Sequence, residues 1–425
     1  MRFSVVTFGC KVNQYESQLM RELLGEHYEE AGPGEKADIV LVNTCSVTNK
    51  ADHQCRQALR RARKRNPGAM VVAAGCHARR PGVDLVGEKL ADSVVAEPTP
   101  AALFAALNRV PPDSRRVARI TGFTGHTRAF VKVQDGCDRR CSFCVVPLVR
   151  GASVSRPMGE IVGEVRGLEA AGFSEIVLCG VRLNAYRDPG AGTGLVALLE
   201  ALLGIPGLGR VRLSSLYPGR LEPGLLEIVA GHPKVCRHLH LPVQSGSDDI
   251  LKAMRRGYVS GDVRALVRRA RRLCPGIGLT ADVIAGFPGE TEDDFRETVG
   301  LIRECGFHRL HLFPFSPRPG TPAARLPAVP SGVVASRMGR LRRLNEDIRD
   351  SVLGRLSGSE AWVVVERKGP RGWCQGTTGE YHTIRFQGAG VRAGSVARVK
   401  ITGTDGPVLT GTHVPDGAVT AAPPG

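Results

Sequence analysis

Short apolar runs alternate with helical stretches at the start of the chain: SVVTF from Ser4, ADIVLVN from Ala37, AMVVAAG from Ala69 and DSVVA from Asp92. Strand–helix alternation of this kind predicts an open parallel α/β sheet over residues 1–112. A Pro- and Arg-bearing stretch, 110–126, reads as a linker. Residues 128–356 carry a longer series of strands: AFVKVQ, EIVLCG, RVRLSS, RHLHLPV, GLTADVIAGF and HRLHLFPF. Helical patterns over 158–171, 262–273 and 292–305 lie between them. Six βα units in a row fit a closed or partly closed parallel barrel, with an Arg-rich helix over 333–353 as a closing element. From residue 357 the texture turns all-β, with 362–366 and 396–401 apolar or alternating between Gly-rich turns. That predicts a small five-stranded barrel over 357–414. The Pro/Gly/Ala-rich end, 415–425, is expected to be disordered, and no repeat occurs at a solenoid period.

Charge and cysteine content narrow the class. The net charge is +17, carried mostly by arginine. This favours an acidic partner, nucleic acid before membrane surface, although a solvated arginine surface reads the same way. No apolar run approaches the ~18 residues of a membrane span. The first eight residues read as a strand, not a leader, so a cytoplasmic location without membrane attachment is expected. Twelve cysteines in a reducing compartment are expected to hold metal or do chemistry where they cluster.

The strongest cluster is CDRRCSFC, where Cys137, Cys141 and Cys144 have the spacing C-x3-C-x2-C. A loop this tight can place three thiolates on three irons of a four-iron four-sulfur (4Fe–4S) cubane. A complete set needs four ligands, so the fourth iron stays open, as in a catalytic metal site. Zinc would want a fourth Cys or His nearby, and none follows. The loop directly follows the first barrel strand and so belongs at the catalytic mouth. Cys10, Cys45 and Cys76 each end an apolar strand of the first segment. Strand ends of an open parallel sheet line one crevice, so these thiolates are expected to converge on a second open-iron cluster. The alternative is that cysteine is simply common in buried strands. Of the other six cysteines, only Cys179 is expected near the active site.

The motifs FGCKVNQYES, NTCSVT, AGC, DGCDRRCSFCVVPLVRG, LHLPVQSGS, DVIAGFPGET and FPFSPRPGT, in that order, resemble the methylthiotransferase family of radical S-adenosylmethionine enzymes. The likeness runs over nearly the whole chain and implies a three-cysteine α/β domain, a radical barrel and a C-terminal TRAM barrel that binds RNA. It also implies two 4Fe–4S clusters and S-adenosylmethionine, one molecule methylating sulfur at the N-terminal cluster and another generating a carbon radical. By the same likeness Phe143 should lie against the adenine ring and Gly180 near the cofactor's amino group. Ser214 and Gln244 should point toward cofactor or substrate. Arg150 and Arg256 should meet the cofactor carboxylate or a phosphate, or else satisfy barrel-mouth backbone groups. A sulfur donor and an electron donor of flavodoxin or ferredoxin type are implied partners.

Within the family, Gly9–Ser17 resembles the branch acting on N6-threonylcarbamoyladenosine at position 37 of tRNA, in the anticodon stem-loop. Lys11, Val12 and Asn13 separate it from the isopentenyladenosine branch and from the branch acting on an aspartate of ribosomal protein S12. Arg182 and Asn184 depart from that pattern, and Asn184 is more like the isopentenyl branch. A non-enzymatic alternative is an RNA-binding iron–sulfur redox sensor, which would need no cofactor pocket. A cobalamin-dependent radical methylase would normally offer D-x-H-x-x-G, and His53 stands instead in D-H-Q-C.

Overall fold

The computed structural model describes residues 1–109, 119–388 and 390–415. In the first segment, strands β1 (Arg2–Thr7), β2 (Glu29–Glu30), β3 (Ile39–Thr44), β4 (Met70–Ala74) and β5 (Ser93–Val95) form one parallel sheet in the order β2-β1-β3-β4-β5. Every residue of β3 is buried, as expected of a central strand covered on both faces. Helices α1 (Lys11–Gly25), α2 (Asn49–Arg65), α3 (Gly75–Ala78) and α4 (Pro100–Ala106) flank it. The face under α1 and α4 shares one continuous core with the next segment, while the α2 face packs a separate core around Val40, Leu59 and Val71.

The second segment is built on six parallel strands: β6 (Ala129–Asp135), β8 (Glu175–Gly180), β9 (Arg210–Leu213), β10 (His238–Gln244), β11 (Gly278–Ala285) and β12 (Arg309–Pro314). The short β7 (Val154–Ser155) runs antiparallel to β6. Between β9 and β10 the ladder thins to the bridges Val211–Val235 and Ser215–His240. The barrel is therefore a partly closed arc, stitched loosely at its middle. Its helices are α5 (Val146–Arg150), α6 (Met158–Ala170), α7 (Leu195–Leu203), α8 (Leu225–Gly231), α9 (Asp248–Ala253), α10 (Ser260–Leu273) and α11 (Glu292–Cys305). Helix α12 (Ser331–Gly354) packs on β11 and β12 and covers the far edge.

Strands β13 (Glu360–Lys368), β14 (Trp373–Thr378), β15 (Thr383–Gln387), β16 (Val396–Asp405) and β17 (Val408–His413) close a separate five-stranded barrel. It docks on the N-terminal ends of the central strands. Arg210 donates to the Trp362 and Thr377 carbonyls at 3.0 and 2.8 Å. Arg212 donates to those of Gly379 and Thr378 at 2.9 and 2.8 Å. Both arginines are held by the fully buried Glu175. The β14–β15 turn enters the base of the central barrel, where Tyr381 stacks on His238 with centroids 4.6 Å apart. At Gly278 any Cβ would overlap the Glu380 carbonyl. Glycine is what lets the turn approach so closely.

The expected linker is only partly a linker. Residues 110–118 lie outside the described residues, but Ile120 is buried and its N–H donates to Glu164 at 2.7 Å. The N–H groups of Thr121 and Gly122 donate to Glu22 on α1, so 119–126 straps the first segment to the barrel. The expected disordered end, from 416 on, also lies outside the described residues. Among the described residues no helix is long and apolar enough to cross a membrane.

Candidate functional site

The carboxyl ends of β1, β3 and β4 carry the first three cysteines. Cys10 sits at the N-cap of α1, Cys45 directly follows β3, and Cys76 lies in α3 directly after β4. The sharp exits require glycine. Gly9 has φ +100°, and a Cβ there would lie 3.0 Å from the Cys45 Cβ and 3.1 Å from its Sγ. Gly75 has φ +84°, and a Cβ would overlap Asn43 Oδ1 and the Thr44 carbonyl. Asn13 ties the loops together: its Nδ2 donates to the Phe8 and Thr44 carbonyls at 2.9 Å each, and Cys10 Sγ donates to its Oδ1 at 3.8 Å.

The second triad forms a turn after β6. Gly136 has φ +65° and no room for a side chain against the Ala152 carbonyl. The Cys137 N–H donates to Gly151 O at 3.0 Å, and the Cys144 N–H to Cys141 O at 3.1 Å. Ser142 staples the turn to the far side of the mouth, its hydroxyl donating to Ala253 O at 2.7 Å and its N–H to Met254 O at 3.1 Å.

All six cysteines line a single cavity of about 340 Å³ between the α/β domain and the barrel mouth, and Cys179 lines it too. Burial pushes the Cys45 and Cys76 thiols up to about 11 and the Cys144 thiol to about 12. Such thiols stay protonated near neutrality unless a metal displaces the proton. Two sets of three thiols, Cys10, Cys45 and Cys76 on one side and Cys137, Cys141 and Cys144 on the other, are a donor set that fits cubanes with one open iron. Ser214 Oγ lines the same cavity, buried and without a hydrogen-bond partner. A buried hydroxyl left bare in this way fits a site awaiting a ligand.

The other expected residues divide. Gln244 lines the cavity just past an irregularity in the β10–β11 register, with φ +66°. Phe143 lines it as well and packs against Ile250, Ile284 and Phe287. Gly180 faces inward against Gln134, where a Cβ would lie 3.0 Å from Oε1. Arg256 reaches the Cys137–Cys144 loop directly: Nη1 donates to Cys141 Sγ at 3.5 Å, Nη2 to Pro242 O at 2.9 Å and Nε to Tyr258 Oη at 3.0 Å.

The Arg150 guanidinium is turned toward the α/β domain and engages Glu16, Asp135 and Asn13 at 2.6–3.0 Å. Its Nε donates to Cys76 Sγ at 3.1 Å. With those donors committed, it bridges the domains while also lining the cavity. Burial alone would raise the Glu16 and Asp135 carboxyls, but Lys132 and Arg150 hold both below the ordinary range.

Other residues in or around the cavity had no sequence signal. Tyr217 is clasped between Arg139 and Arg256, at 4.3 and 4.6 Å from its ring centre. Cys55, expected to be incidental, accepts from the Cys45 N–H at 3.3 Å. A second bridge joins the domains where Asp52 meets Arg318, a buried arginine of the loop after β12, together with Arg80 and His77. That loop also holds the start of α2, with Asn49 N–H donating to Ser316 Oγ at 3.0 Å.

Two family models match the chain: Uncharacterized protein family UPF0004 over residues 2–96 and the Radical SAM superfamily over residues 131–302. A tRNA-2-methylthio-N(6)-dimethylallyladenosine synthase of Cereibacter sphaeroides is 38% identical, over 96% of this chain and 98% of that one. An enzyme of the same name from Nitrosospira multiformis is 36% identical, over 96% and 92%. Threonylcarbamoyladenosine tRNA methylthiotransferase MtaB of Bacillus subtilis is 32% identical, over 96% and 95%. Among solved structures, the radical S-adenosylmethionine methyltransferase TsrM of Kitasatospora setae, with cobalamin and a 4Fe-4S cluster bound, shares the fold. Its TM-score is 0.54 at 17% identity, covering 76% of this chain and 74% of that one.

Proposed function

The chain belongs to the radical S-adenosylmethionine methylthiotransferase family, and from that premise we propose that it installs a methylthio group at C2 of N6-threonylcarbamoyladenosine 37 in the anticodon stem-loop of tRNA. The observation that supports the reading is the shared cavity of about 340 Å³, which both cysteine triads line. Cys137, Cys141 and Cys144 would hold the cluster that binds S-adenosylmethionine, and Cys10, Cys45 and Cys76 the cluster that presents sulfur. With both groups bound, cluster and cofactor supply the carbon radical needed to open an unactivated C–H bond. The protein's own part is placement. Arg150 and Asp52 lock the α/β domain over the mouth, so sulfur and radical source stay in register. Arg256 sets a positive charge beside a cluster ligand, an arrangement that tunes cluster potential.

The substituent reading rests on cations. A threonylcarbamoyl group is anionic, and Lys11 and Arg182 line the cavity without an ion-pair partner among the described residues. Arg150 no longer counts toward this charge, being engaged elsewhere. A second reading, isopentenyladenosine, is favoured by the adjoining pocket of about 150 Å³. There Val47, Phe143, Ile284, Phe313 and Phe315 form an apolar wall. Relatives named as dimethylallyladenosine synthases support the same alternative. Nucleoside mass spectrometry of tRNA from cells lacking the gene tests the choice. The proposal expects the unthiolated threonylcarbamoyl nucleoside to accumulate while other methylthio nucleosides persist. Loss of the methylthio-isopentenyl nucleoside instead would establish the second reading.

A further inference from the structure

We propose that His240, Asp282 and His311 form a binding site for one divalent first-row transition cation, separate from both cysteine triads. The three residues sit on adjacent parallel strands, β10, β11 and β12, with Asp282 paired to His311 in register. His240 is paired to Thr280, two positions before Asp282 on the same face of β11. The site is thus built on strand backbone, the most rigid support the barrel offers. One atom of each residue converges. His240 Nε2 and His311 Nδ1 each lie 3.1 Å from the same carboxylate oxygen, Asp282 Oδ1, and all three ligand atoms fall within 4.8 Å of one another.

Those spacings lie within the ordinary N–H···O range of about 2.7–3.2 Å, and they also match the spacing of donors that share one cation. Donors bound to one metal at about 2.1 Å, at angles between octahedral and tetrahedral, stand about 3.0–3.4 Å apart. The second requirement, an orienting partner on the far side of a ligand imidazole, is also met. His240 Nδ1 lies 2.8 Å from Thr280 Oγ1, which lies 2.9 Å from His238 Nε2. In the tautomer that donates from Nδ1 to Thr280, His240 turns a bare Nε2 lone pair toward Asp282. Two imidazoles and one carboxylate are the donor set that selects zinc, cobalt or ferrous iron over magnesium or calcium. Three protein ligands leave coordination positions open. Asp282 lines both the cavity between the cysteine triads and the apolar pocket beside it, which sets the site at the edge of the space where substrate would lie.

The test uses cluster-loaded protein equilibrated with zinc and then desalted, with metals counted by plasma mass spectrometry. The parent is expected to retain about one zinc beyond its cluster iron. His311→Gln and Asp282→Asn should lose that equivalent with iron unchanged. Because His311 is half-exposed, its variant should fold. Thermal melting supplies a second readout: zinc should raise the midpoint of the parent by mass action and leave His311→Gln unmoved. Equal zinc in parent and His311→Gln, or no zinc above the iron in either, would overturn the site.

Discussion

Arg150 concentrates much of the site's architecture in one side chain. Its side chain is 2% exposed and bridges two carboxylates, an amide and the Cys76 thiol, contributed by segments far apart in the chain. Arg150→Ala leaves Glu16 and Asp135 to Lys132 alone, and breaking a buried pair in this way costs about 3–5 kcal/mol. A urea titration should show that loss. Arg150→Lys should recover only part of it, because a point charge cannot reproduce the planar fork. Gly75 is a second sensitive position. Its φ of +84° and the Asn43 and Thr44 oxygens against it leave no space for a methyl. Gly75→Ala should misplace Cys76 and lower iron content toward half, while the other triad keeps its cluster. Full iron in that variant would show that the loop tolerates the methyl group.

Docking of the C-terminal barrel is decided by an element contact, the β14–β15 turn seated in the base of the central arc. Glu175 organises it by holding Arg210 and Arg212 toward four carbonyls. Burial alone would raise this carboxyl, but Arg210, Arg212 and Arg128 hold it well below the ordinary glutamate value of 4.5. A depressed carboxyl contributes stability that is complete above its unfolded value and lost as pH falls through the folded one. Protease cleavage near residue 357 should therefore be slow and constant down to about pH 5, then accelerate at lower pH. Glu175→Gln should cleave faster at neutrality and lose most of that acid dependence. The same docking changes what a truncation can report. Removing residues from 357 on would uncover Arg210, Arg212, His238 and His308, so a fall in activity would mix weakened RNA binding with a loosened barrel.

Across the molecule the two triads are expected to divide the labour. Reconstituted protein should hold about eight irons. Replacing Cys137, Cys141 and Cys144 by Ala should abolish 5′-deoxyadenosine formation and leave roughly half the iron. Replacing Cys10, Cys45 and Cys76 should spare cofactor cleavage and abolish sulfur insertion. Full product from the latter variant would remove the second cluster from the reaction. RNA binding is best tested on exposed charges of the C-terminal barrel: Arg367, Lys368, Arg371, Arg392 and Lys400. Replacing Arg367, Lys368 and Arg371 by Ala should weaken tRNA binding and flatten its salt dependence by about 0.7–0.9 in log–log slope for each phosphate no longer neutralised. An unchanged slope would mean that this face is only solvated charge.

Local pattern in the chain was enough for several features. Alternation of apolar runs and helical stretches predicted the parallel sheet, the arc and the terminal barrel, because each strand's burial is written in its own residues. The C-x3-C-x2-C spacing carried its chemistry for the same reason: three thiolates within eight residues are neighbours in any fold of that loop. Cys10, Cys45 and Cys76 needed only the further rule that parallel strand ends share one edge. Tertiary structure decided the rest. Arg150 and Glu16 are 134 positions apart, and nothing local marks the arginine as a bridge between the domains. The seating of Tyr381 on His238, the clasp around Tyr217 and the meeting of His240, Asp282 and His311 likewise join segments whose local patterns are complete without one another. Such juxtapositions follow from how packed layers settle, and side-chain type and spacing along one segment do not specify that.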